Sequence, residues 1–172
     1  MVATISRAGF LRGHFGTDSE TIRPPWAVSE SEFTIRCLRQ MSCADACPED
    51  IIIKGRGGFP TISFSDNACT FCEACVKACP AGVLGQAQIQ DEKKPLPWTL
   101  HLSISDNCIS AKGVVCRICP EKCDAHAIQF KHFSSLGKPV IDQDCCTGCG
   151  ACIAPCPTGA LILSPVQQHE AA

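Results

Sequence analysis

Four runs of cysteine carry the chemistry of this chain. Two of them are regular: Cys69-x2-Cys72-x2-Cys75-x3-Cys79 followed by Pro80, and Cys146-x2-Cys149-x2-Cys152-x3-Cys156 followed by Pro157. Two-residue gaps let three consecutive thiolates wrap one compact inorganic core while the intervening backbone N–H groups point at its sulfurs. The fourth cysteine, three residues on, faces away and serves a second core; this is the spacing of bacterial proteins that hold cubane iron-sulfur clusters in pairs. Gly148 and Gly150 let the backbone come close to the metal in the last run. In a third run, Cys108-x7-Cys116-x2-Cys119-x3-Cys123, a loop of seven replaces the first short gap and Asp124 replaces the proline. Ligation survives this change, because only the final position of each sulfur matters.

The first run departs differently. Cys37, Cys43 and Cys47-Pro48 hold their places, but Gln40 stands at the second ligand position. With ligands exchanged between the runs of a pair, Cys37, Cys43 and Cys79 hold one cluster and Cys69, Cys72, Cys75 and Cys47 its neighbour. The second pair of runs divides into Cys108, Cys116, Cys119 and Cys156 for one cluster and Cys146, Cys149, Cys152 and Cys123 for the other. Three 4Fe-4S clusters therefore have full cysteine ligation. A neutral amide is a poor iron ligand where a thiolate is usual, so the fourth site, with three cysteines, is expected to hold a 3Fe-4S cluster or a labile 4Fe-4S cluster with water or hydroxide at the open corner.

Structural zinc takes four ligands in two pairs and leaves the regular third and fourth cysteines without a task. Disulfides fare no better, since cysteines this closely spaced in a cytoplasmic chain cannot all pair. Cys145 has no place in the motif and reads as a free thiol or a packing residue. The five histidines, His14, His101, His126, His132 and His169, show no spacing relation to the cysteines. Without a nucleotide loop, a nucleophile elbow or paired acids, an enzyme with its own substrate pocket is not expected.

Sixteen cysteines in 172 residues, with no tyrosine and few other aromatics, leave little material for a large apolar core. Metal binding must supply part of the folding energy. A net charge of −2 excludes a generic nucleic-acid binder. Arg7, Arg12, His14, Asp18, Glu20 and Arg23 interrupt every apolar stretch near the amino terminus, which does not read as a signal peptide, and no apolar run is long enough to span a bilayer. The expected location is the cytoplasm.

The elements that position the cysteines follow from the sequence between them. Isoleucines 51–53 and Thr61-Ile62-Ser63-Phe64 flank a Lys54-Gly55-Arg56-Gly57-Gly58 turn and predict a hairpin; Ala127-Ile128-Gln129-Phe130 and Lys138-Pro139-Val140-Ile141 predict a second. Each cysteine run predicts a loop winding into a short helix, with the last cysteine at the helix start or inside it. The expected fold class is α+β: two tandem ferredoxin-like domains of the bacterial two-cluster type, with short hairpins and short helices around the clusters. Residues 33–90 and 100–163 form the domains, 91–99 a charged, proline-containing linker and 164–172 a tail. Residues 1–32, with no cysteine, read as an arm for partner docking through Arg12, Arg23, Pro24, Pro25 and Trp26.

Beyond the cluster spacing, the chain resembles the NapF family of ferredoxin-type accessory proteins encoded with periplasmic nitrate reductases. The residues that carry the resemblance are Phe10-Leu11-Arg12-Gly13, Arg23-Pro24-Pro25-Trp26, Gly58-Phe59-Pro60, Cys69-Thr70-Phe71-Cys72, Pro97-Trp98, Gly113-Val114-Val115-Cys116-Arg117 and Cys146-Thr147-Gly148-Cys149-Gly150. It implies a cytoplasmic protein that interacts with the molybdenum catalytic subunit of the reductase and assists its maturation before export. The alternative is an electron-transfer subunit of a redox chain. Gln40 departs from the family pattern, in which a cysteine is expected.

Overall fold

In each half of the chain, short apolar segments bracket a pair of cysteine runs and fold as narrow two-stranded sheets around them. A computed structural model describes residues 21–85, 97–130 and 137–166. The first block opens with α1 (Glu30–Arg36), whose N-cap Ser29 accepts a hydrogen bond from the Glu32 N–H. Glu30 and Glu32 in its first turn and Arg36 in its last complement the helix dipole. After α2 (Ser42–Asp45), β1 (Ile52–Lys54) pairs antiparallel with β2 (Pro60–Ile62), and α3 (Ala74–Lys77) closes the block. The register sets Ile52 opposite Ile62, so both isoleucines share the buried face.

The second block repeats the plan. β3 (Leu100–Ile104) leads into α4 (Ile118–Glu121), the hairpin of β4 (Ile128–Gln129) and β5 (Val140–Ile141), and finally β6 (Leu161–Pro165), which returns antiparallel to β3. Both hairpins thus form where the apolar segments place them. β6 runs past the expected domain end at 163, because Leu100 pairs with Pro165 and His101 with Ser164. Gln143 reaches the free edge of β3, donating from Nε2 to the Leu102 carbonyl (2.7 Å) and accepting the Leu102 N–H at Oε1 (3.2 Å).

Residues 22–28, read from the sequence as part of an arm, belong to the first block. From Ile22 the chain runs along the first block as the counterpart of β3: Ala27 bridges Leu84, Val28 N–H donates to the Val83 carbonyl (3.0 Å) and Gly85 N–H to the Trp26 carbonyl (2.9 Å). Pro24 and Pro25 are fully buried and Trp26 is 5% exposed. Two prolines lack the N–H donors of a central strand, yet they suit an edge segment whose bonds fall on its neighbours. The Ile22 carbonyl satisfies this logic, accepting from the Ile62 N–H and from the Thr61 hydroxyl. Residues 1–20, Arg12 among them, lie outside the described residues, as does most of the linker.

A large apolar core fills the first block, built on Ile22, Trp26, Phe33, Ile51, Phe64, Val76, Val83 and Leu84. The second block has a thin one, with Leu102, Ile128 and Leu161 around Cys152. Trp98, Leu100, Ile153 and Leu163 pack across onto the first core and join the blocks. Among the described residues, no helix is long and apolar enough to cross a membrane.

Candidate iron-sulfur centres

Four cavities are lined by fifteen of the sixteen cysteines. The first holds Cys37, Cys43 and Cys79 together with Gln40. Cys47, Cys69, Cys72 and Cys75 line the second, Cys108, Cys116, Cys119 and Cys156 the third, and Cys123, Cys146, Cys149 and Cys152 the fourth. In each block the last cysteine of one run stands in the cavity of the other. The chain therefore brings together the same sets that exchanged ligation requires.

The backbone explains how. In the first, second and fourth runs, the residues on either side of the second ligand position both take the left-handed conformation: Arg39 and Met41 around Gln40, Phe71 and Glu73 around Cys72, Gly148 and Gly150 around Cys149. A left-handed residue on each side of the ligand position folds the loop around a concavity into which backbone N–H groups converge. Gln40 thus sits on a loop wound like those that present a cysteine. The third run reaches its cavity by another path, through a single turn of 3-10 helix at Ser110–Lys112 and Gly113 at φ +87°.

After the last cysteine the four runs agree again. The N–H of the third following residue returns to that cysteine's carbonyl: Asp50 to Cys47 (3.3 Å), Gly82 to Cys79 (3.2 Å), His126 to Cys123 (2.9 Å) and Gly159 to Cys156 (3.2 Å). All four of these third residues are left-handed. The turn at Cys123 forms without a proline, so Asp124 is no obstacle. The short helices differ from expectation: Cys43, Cys75 and Cys119, each the third position of its run, lie inside α2, α3 and α4, whereas the last cysteines follow the helix ends. Pro48 and Pro80 restrict the residue before them to extended backbone and bar further helix. The fourth run makes turns only.

Burial, followed by the charge of neighbouring thiols, pushes Cys43, Cys69 and Cys119 up to about 11 and Cys75 and Cys152 up to about 12. Most of the neighbours concerned belong to the same cavity, while Cys43 and Cys75 link the first pair of cavities, Cys119 and Cys152 the second, and Cys149 of the fourth cavity acts on Cys69 of the second. Such thiols are protonated at neutral pH until a cation compensates their charge, so metal binding there releases protons. Cys156 goes the other way. Burial raises it, but the N–H groups of Thr158, Ala160 and Leu161 and the Thr158 hydroxyl outweigh burial and hold it below the usual thiol value. Ala160 N–H lies 3.3 Å from its sulfur, and Phe71 N–H lies 3.4 Å from that of Cys69. Hydrogen bonds of this kind tune cluster potentials.

Among the described residues, no three His, Cys, Asp or Glu side chains converge on a point that one ion could fill. The sulfurs stand around the cavities instead, and sulfur-only donor sets spaced around a multi-atom space fit iron-sulfur clusters.

Cys145 is exposed, outside all four cavities, and Asp142 raises its thiol by hydrogen bonding and charge. That excludes packing and leaves a free, unactivated thiol. Asp142 also accepts the N–H groups of Asp144 and Cys145, fixing the turn that leads into Cys146.

Of the residues read as docking contacts, Arg12 lies outside the described residues, and the other four make contacts within the first block. Arg23 pairs with Glu30 (2.5 Å), donates to the Pro60 carbonyl (3.1 Å) and stacks over Phe33 and Phe59. With Trp26, Pro24 and Pro25 buried beside it, this stretch closes the first block and serves the fold. Sequence reasoning missed an aromatic series as well: Trp26 meets Phe71, Phe71 meets Trp98, and Trp98 meets Phe64, all edge to face at 5.8 to 6.5 Å. Phe71, between two cysteines, and Trp98, in a linker, each have an aromatic neighbour only through the fold.

An α+β chain with cysteine-lined cavities of this kind is an iron-sulfur protein of the ferredoxin class. Residues 35–83 match the 4Fe-4S dicluster domain and residues 139–162 the 4Fe-4S binding domain, with the third cysteine run between the matched spans. The chain is 36% identical to ferredoxin-type protein NapF of Escherichia coli K12, over 95% of this chain and 97% of that protein. It is 37% identical to NapF of Haemophilus influenzae, over 98% and 99%. Similarity extends to the methylamine utilization ferredoxin-type protein MauM of Methylobacillus flagellatus, at 31% over 91% of this chain and 72% of that protein. The chain belongs to the ferredoxin-type NapF family.

Proposed function

We propose that this chain carries 4Fe-4S clusters at the second, third and fourth sites and a 3Fe-4S or labile 4Fe-4S cluster at the first. In that form it acts as an accessory protein that assists maturation of the molybdenum catalytic subunit of a periplasmic nitrate reductase, in the cytoplasm and before export. The observation that carries this reading is similarity to NapF proteins over nearly the whole chain, together with four cysteine-lined cavities. Clusters held there supply one-electron transfer or iron-sulfur units; the chain's own part is to hold them, shield them and set their potentials through N–H groups such as those of Phe71 and Ala160. Docking is assigned to Arg12 and its neighbours in the first twenty residues, since 23–26 serve the fold.

An anaerobic pull-down of the holo-protein against the unexported catalytic subunit tests this, with Cys72→Ser as control. Retention of the precursor, strongest for its cluster-free form, is expected. If nothing is retained while cellular redox partners rapidly reduce and reoxidise the protein, the electron-transfer reading replaces it. The neighbouring arrangement of the sites favours that second reading.

A further inference from the structure

Within each block the cavities are interlocked, because Cys47 and Cys79 change places in the first and Cys123 and Cys156 in the second. Among the described residues, one backbone hydrogen bond joins a cysteine of one block to a cysteine of the other. The Cys69 N–H donates to the Cys149 carbonyl at 2.9 Å, joining a residue of the second cavity to one of the fourth. Around this bond lies an aromatic wall: Phe71 lines the second cavity and meets Trp98, Trp98 meets Phe64, and the Phe64 ring lies against Gly150 of the fourth cavity. The fit is close enough that a Cβ on Gly150 would fall 2.2 Å from that ring, at φ +80°. Among the described residues, no hydrogen bond ties a cysteine of the first or third cavity to the other block.

We infer that the four sites form one series in the order first, second, fourth, third, joined between blocks at the Cys69–Cys149 hydrogen bond, with the Gln40 site at one end. This rests on the reading that the sites hold clusters. At the junction a single electron leaves the reduced member of the second–fourth pair and enters the oxidised one; no atom moves, and an external low-potential donor supplies the electron. An end position means that the missing thiolate at Gln40 leaves the other three sites in contact.

The test uses full-length holo-protein, reduced anaerobically with dithionite, with iron and sulfide counted and magnetic interaction between reduced clusters read by EPR. Phe64→Trp pushes on Gly150 from the other block without touching a cluster loop. It should lose the cross-block part of the interaction while keeping wild-type iron content. An interaction unchanged by Phe64→Trp overturns the series. A wild-type chain that cannot be loaded with iron takes down the cluster reading and the series together; a fully loaded one without cross-block interaction takes down the series alone.

Discussion

The two halves of this chain repeat one plan with opposite balances of apolar and metal stabilisation. In the first block a thiolate is missing, but Ile22, Trp26, Phe33, Ile51, Phe64, Val76, Val83 and Leu84 form a core that stands beside the cysteines. The second has all eight cysteines, yet the buried side chains besides them are few and its hairpin strands are two residues long. A domain this small with so little apolar burial has to draw its folding energy from ligand bonds. Loss of a ligand is therefore tolerated in the block that can stand on its packing.

Iron removal should separate the blocks most sharply. Binding energy at structural metal sites is on the order of 10 kcal/mol, so chelation should unfold the second block while protection persists in the first, read by hydrogen exchange at Leu102 and Ile128 against Phe33 and Val83. Equal loss in both would break the contrast. Cys149→Ser should act the same way on a smaller scale, emptying the fourth site and loosening the block around it, whereas Cys72→Ser should empty the second site with less structural loss. Visible charge-transfer absorbance follows the sites, and unchanged absorbance in either variant would contradict the assignment.

Next in size is the core itself. Trp26→Ala removes a buried ring that touches Phe71 and should destabilise the first block by about 3–5 kcal/mol. Iron should then be lost from the first and second sites and kept at the third and fourth. A variant with full iron and weakened partner capture would return Trp26 to a docking role. Gln40→Cys should have little effect on folding and add one iron at the first site, because Arg39 and Met41 already hold the loop in the cysteine-presenting conformation. The smallest effect is at the surface: Glu32→Ala breaks the exposed pair with Arg36 on α1 and should change stability by roughly 0.5 kcal/mol or less in thermal unfolding.

What the sequence made legible was whatever depends on fixed short spacing. Cysteine gaps define the cavities, and Gly55, Gly57 and Gly58 between apolar runs mark the first hairpin. Three features were not legible because they depend on distant partners. Arg23-Pro24-Pro25-Trp26 looks like free extended chain until Leu84 and Gly85, far along the sequence, bridge Ala27 and bond the Trp26 carbonyl. Trp98 looks like linker until Phe64 and Phe71 enclose it. The left-handed turns at Asp50 and His126 carry no glycine signal; they are imposed by the cysteine carbonyl each N–H returns to.

Iron and sulfide analysis with EPR of the untreated, anaerobically purified protein, set beside Gln40→Cys, bears most directly on this picture. Iron for three four-iron clusters and one three-iron cluster, with a three-iron signal that disappears as the variant gains one iron, is the expected result; a labile four-iron cluster would show the same gain as retention of the fourth iron. An empty first site in the wild type, or a variant that binds no more iron than its parent, would contradict a cluster held there by Cys37, Cys43 and Cys79.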